Sequence, residues 1–86
     1  MKLASILDLA AARPLWSQLC AMRGQPLRID ASSVERLGGQ CLQVLLAAQA
    51  QWRADDIEFA IAEASAAFGE SLHLMGAFAL AEEKVS

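Results

Sequence analysis

Cysteine is scarce in this 86-residue chain, with Cys20 and Cys41 the only two. Two thiols cannot staple a disulfide-dense scaffold. With one histidine, His73, they do not supply four closely spaced ligands for a structural zinc site, and no metal or cofactor is expected. Each cysteine sits in an apolar, helix-like stretch, where a free thiol is expected to pack as a small hydrophobe. Five glycines and two prolines are too few for a linker or a fibrous repeat. Positive charge is also in deficit, at 7 basic against 10 acidic residues, so duplex nucleic-acid binding by phosphate neutralisation is not expected. Long apolar runs are missing too. The most apolar segment, Leu42 to Ala50, contains Gln43 and Gln49 and falls far short of the ~20 residues that span a bilayer. Asp8 and then Arg13-Pro14 interrupt the opening residues, so no secretory signal is expected there. These features predict a cytoplasmic protein with reduced thiols and no membrane insertion.

What is present is apolar. The hydrophobic set makes up 56% of the chain against 20% charged, with mean hydropathy +0.34, which excludes a disordered acidic tail. At 9.2 kDa the chain fits one domain over 1–86, with 82–86 a polar tail.

The pattern alternates. Lys2 to Leu7 reads as a short edge strand, and Asp8 is placed to cap a helix carrying Leu15, Trp16, Leu19, Cys20 and Met22. Pro14 is tolerated only in a first turn, so that helix is expected to begin near Arg13 or to kink there, and Gly24 to end it. Leu27 and Ile29 mark one face of a strand from Pro26 to Ala31; Ser32-Ser33 and Gly38-Gly39 read as breaks. Cys41, Leu42, Val44, Leu45, Leu46, Ala48 and Trp52 then form the broad apolar face of the strongest helix. Ile57, Phe59 and Ile61 alternate as in a half-buried strand. Ser65 caps a last helix with Phe68, Leu72 and Met75 on one face; Gly76 ends it, and Phe78-Ala79-Leu80 adds a short strand. Strands alternating with helices predict an α/β fold, a small and mostly parallel sheet of about four strands with helices packed against it.

On these elements the segment from Leu27 to Ala77 resembles a STAS domain, the fold of anti-sigma factor antagonists. The resembling residues are Leu27-Arg28-Ile29-Asp30-Ala31-Ser32-Ser33-Val34, Leu37-Gly38-Gly39-Gln40-Cys41-Leu42-Gln43-Val44-Leu45-Leu46, and Ala66 to Gly76. The family's loop before the central helix commonly reads Asp-Ser-Ser-Gly-Leu, and its first serine accepts phosphate. Aligned on Leu42, this chain has Gly38, Gly39, Gln40 and Cys41 there. The acceptor hydroxyl is replaced by a hydrogen at Gly39, so phosphorylation at that position is chemically impossible.

The resemblance implies a binding surface around the start of the central helix, at Asp30, Ser32, Ser33, Gly38, Gly39, Gln40 and Gln43. It also implies a protein partner: a histidine kinase, a response regulator or an anti-sigma-like kinase of a bacterial signalling system, with chemotaxis as the setting. The alternatives are a structural STAS subunit of a lipid-transport ATPase complex, or a small-ligand sensor holding a nucleotide or lipid. An enzyme is not expected, because His73 has no nucleophile motif beside it and Asp55-Asp56 read as turn carboxylates. Trp16 and Trp52 are expected in the core, with an exposed Trp52 beside Arg53 as a candidate interface anchor. Both glycines at the helix start are expected to accept side chains (Gly39→Ser with Gly38→Asp) with little loss of folding.

Overall fold

The fold is described for residues 1–76, from a computed structural model. Its elements are β1 (Ile6–Leu7), α1 (Leu9–Ala21), β2 (Leu27–Ala31), β3 (Arg36–Leu37), α2 (Gly39–Ala54), β4 (Phe59–Ala64) and α3 (Ala66–Leu74). This is the expected α/β alternation with parallel pairing. The four strands, however, form two two-stranded sheets, β1 with β3 and β2 with β4. The strand Arg36–Leu37 was hidden in sequence because two residues carry no period.

The amino-terminal segment joins the two sheets. Lys2 makes a parallel bridge to Asp30, with Leu3 N–H donating to the Asp30 carbonyl at 2.9 Å. Further along, Ser5 C=O accepts from Glu35 and Arg36, and Leu7 C=O accepts from Gly38 at 2.8 Å. One stretch therefore pairs with β2 at its start and β3 at its end. All pairings are parallel, so the four strands finish at the same edge.

In α1 the Asp8 carboxylate accepts from Ala11 N–H at 3.2 Å, and the helix runs unbroken through Pro14. The expectation of a start near Arg13 is corrected: the cap at Asp8 outweighs one missing N–H in the second turn. Leu15 and Leu19 face the core, and Gly24, at φ +93°, turns the chain after the helix. In β2, Leu27, Ile29 and Ala31 point inward as the alternation predicts. In β4, Phe59, Ala60 and Ile61 are all buried, so both faces of its first half are covered and the half-buried expectation is corrected. The pairing of β2 with β4 slips by one residue after Ile29, so that Asp30 stands opposite Glu63.

One core runs through Leu19, Leu27, Ile29, Leu45, Phe68 and Leu72. Cys41 is buried, but Cys20 is exposed. Trp52 is buried as expected of both tryptophans, its indole 5.8 Å from the Phe59 ring, so it is no exposed anchor; Trp16, also expected in the core, is instead 45% exposed. Met75 lies outside the core, at the end of α3. The strand expected at Phe78-Ala79-Leu80 and the tail at 82–86 lie outside the described residues. No helix among the described residues is long and apolar enough to cross a membrane.

Candidate functional site

Because the strands are parallel, α1, α2 and α3 all begin at the carboxyl edge, after β1, β3 and β4. In open α/β sheets this edge is where ligands and partners are met, since strand ends and helix starts leave polar backbone groups there. The edge is wired from beneath. Ser65 N–H and Val34 N–H both donate to the Ala31 carbonyl, and the Ser65 hydroxyl donates to Val34 C=O. At the other sheet, Gly38 N–H donates to Leu7 C=O and the Cys41 thiol donates to Asp8 C=O at 3.3 Å.

The three helix starts differ. Asp8 caps α1 with its carboxylate, and the Ser65 hydroxyl caps α3 by accepting from Phe68 N–H at 3.0 Å. Gly38 caps α2 with extended backbone and no side-chain bond. Gly39 and Gln40 are exposed in its first turn, where amide N–H groups have no intrahelical acceptor. A Cβ on Gly39 would touch nothing within 4 Å; one on Gly38 would lie 3.2 Å from the Leu7 carbonyl oxygen. A side chain at Gly39 thus enters open space, whereas one at Gly38 requires the Leu7 backbone to give by a few tenths of an ångström. Gly38 sits where the backbone of β1 approaches closely.

At the end of β2, the Asp30 carboxylate accepts from Ser32 N–H at 2.9 Å and from the Ser32 hydroxyl at 2.6 Å. The hydroxyl contact, then the amide contact, holds the Asp30 carboxyl below its ordinary value; Lys2 adds a smaller pull in the same direction. Ser33 is half-buried in the same turn. Burial, with the Asp8 charge second, pushes the Cys41 thiol up, so it stays protonated as a donor.

The residues named from sequence thus occupy one edge in two groups. Gly38, Gly39 and Gln40 form the α2 start, with Gln43 exposed nearly one turn along, while Asp30, Ser32 and Ser33 close β2. The segment Ser5–Leu7 runs between them. Asp8 and Ser65 were legible as helix caps, but only the strand pairing brings them to this edge. The resulting surface mixes donors at α2 with carboxylates at Asp8 and Asp30. Among the described residues no cluster of histidine, cysteine, aspartate and glutamate is arranged to hold a metal ion.

A family model described as "Mlab, STAS domain" matches residues 1–81. No curated protein and no solved structure gives a significant match.

Proposed function

The chain belongs to the STAS domain family, and on that premise we propose that it is a non-enzymatic regulatory module that docks on a protein partner. The docking surface is the carboxyl edge of the strands, centred on the start of α2. One observation carries the reading: of the three helix starts at this edge, only that of α2 lacks a side-chain cap. Its exposed glycine leaves room for a partner's carbonyl or side-chain oxygen to reach the helix amides. With hydrogen in place of the family's acceptor hydroxyl at Gly39, the module works by occupancy. It shifts its partner's equilibrium by the difference in affinity between two partner states.

A histidine kinase, a response regulator or an anti-sigma-like kinase of a bacterial signalling system, chemotaxis included, fits this mode. A second reading makes the chain a structural STAS subunit that clamps the nucleotide-binding subunit of a lipid-transport ATPase. The name Mlab in the description of the matching model favours that partner, and the same edge would serve it.

The test is isothermal titration of the purified chain against proteins encoded by neighbouring genes, comparing wild type with Gly39→Arg. A Cβ at Gly39 meets nothing within 4 Å and the position is exposed, so affinity should fall about tenfold or more with the melting curve little changed. Unchanged affinity would remove this edge from the interface. Radiolabel transferred to the chain by a cognate kinase would overturn the occupancy mechanism. Co-purification with a membrane ATPase, and instability without it, would select the second reading.

A further inference from the structure

We propose that the surface shared by α1 and α2 is a second docking face, and that its occupant is an acidic protein segment carrying one large apolar side chain. This goes beyond the edge described above and is independent of it.

Leu9, Arg13, Trp16 and Cys20 recur every three or four residues along α1 and so share one face. Leu9 is 73% exposed and Trp16 45%, and the Cys20 thiol is exposed beside them. Large apolar side chains exposed in register on one helix mark a contact surface. Where α1 meets the second half of α2, the surface dips into a groove of about 100 Å³. Trp16, Leu19 and Cys20 line it from α1, Ala48, Gln51 and Trp52 from α2, and Arg23 also contributes. An apolar cavity of about 150 Å³ takes up benzene, so this volume suits one apolar side chain. The Trp52 edge of the groove is fixed, because its indole N–H donates to the Gln25 carbonyl at 2.7 Å.

Charge selects the occupant. Acidic residues outnumber basic ones 10 to 7 in the chain, yet along α1 and α2 the only carboxylates are at the caps, Asp8 before α1 and Asp55 after α2. The helices' own charged residues are Arg13 and Arg53, and Arg23 follows α1. Asp55 holds Arg23 at 3.3 Å, while Arg13 stands on the exposed stripe between Leu9 and Trp16. An apolar groove with arginine along its approach complements carboxylates flanking an apolar anchor. Trp and Arg are also the residue types that dominate such contacts.

The test is a random linear-peptide library displayed on phage and selected against the immobilised full chain. Binding of the enriched sequences is then measured as synthetic peptides. The expected winners place Asp or Glu around a single Leu, Phe or Trp. Their affinity should fall about tenfold or more in Trp16→Ala and in the exposed charge reversal Arg13→Glu, and should be unchanged in Gly39→Arg. That last arm separates this face from the α2 start. Neutral or basic winners, no enrichment, or binding indifferent to both α1 variants would overturn the proposal. So would self-association in sedimentation velocity that Trp16→Ala abolishes, which would make the occupant a second copy. Co-sedimentation with phosphatidylglycerol vesicles that is lost in Trp16→Ala would make the occupant a lipid surface and overturn the proposal equally.

Discussion

The indole N–H of Trp52 donates to the backbone carbonyl of Gln25 at 2.7 Å, tying the last turn of α2 to the loop that follows α1. Beside it, Arg23 reaches the Asp55 carboxylate, which Gln51 of α2 also holds, so the carboxyl ends of the two helices are clasped at two points. Trp52→Phe keeps the ring against Phe59 and removes the donor, and should cost about 1 kcal/mol. Trp52→Ala also empties the core and should cost about 3–5 kcal/mol. Urea melts followed by far-ultraviolet circular dichroism give both numbers.

The neighbouring glycines at the α2 start should respond differently to the same methyl group. Gly39→Ala enters open space and should change stability by no more than about 0.5 kcal/mol. Gly38→Ala drives its Cβ against the Leu7 carbonyl oxygen and should cost about 1–3 kcal/mol. Equal melting temperatures for the two variants would mean that β1 moves aside freely.

Asp30 links stability to pH. Its carboxyl is held below the ordinary value of 3.8 by the two Ser32 contacts and by Lys2, so the folded state favours the ionised form. The stabilisation is complete above 3.8 and is lost as pH falls through the lowered value in the folded state. Ser32→Ala removes the first contact. The gap in urea midpoint between wild type and Ser32→Ala should be widest near neutral pH and close as the solution is acidified. A gap constant down to strong acid would show that Ser32 acts by another route.

The two thiols should separate cleanly. Cys20 is exposed and should react with Ellman's reagent in the folded protein, whereas Cys41 should react only after denaturant opens the core. The burial that raises the Cys41 thiol also favours the neutral form of the folded state. Its stabilising contribution is full below 9.0, the ordinary value, and fades as pH climbs through the raised one. Cys41→Ala should flatten that alkaline decline.

Gln49 carries an unsatisfied amide. It is buried on α2, and its Nε2 finds no hydrogen-bond partner. Gln49→Met keeps the length and removes the stranded donors, so stability should rise by about 1 kcal/mol in the same urea melts. A loss instead would mean that the amide's oxygen side is worth more than its nitrogen costs.

Much of this fold was legible because its signals are local. Asp8 and Ser65 advertise helix caps, Leu27 and Ile29 set a period of two, and Cys41, Leu45, Ala48 and Trp52 set a helical period. What failed to show depends on distant partners. Arg36–Leu37 is a strand because β1 offers it hydrogen bonds, and Trp16 departs from the expected core place that Trp52 keeps because the packing covers one and not the other. Pro14 misled because propensity is a weak prior beside a good cap. The candidate site was half visible. Sequence pointed to Gly38 and Gly39 and to Asp30 and Ser32, but the shared edge is a property of parallel pairing.

The threaded amino-terminal stretch governs the order of assembly. Each of its pairings, and that of β2 with β4, joins residues about thirty positions apart. Few early contacts therefore reward collapse, and the folding rate should be set by closing those loops rather than by helix formation. Residues 2–7 must wait for β2 and β3 before they have a place to lie. β4, which follows them in the chain, then seals a seam already begun.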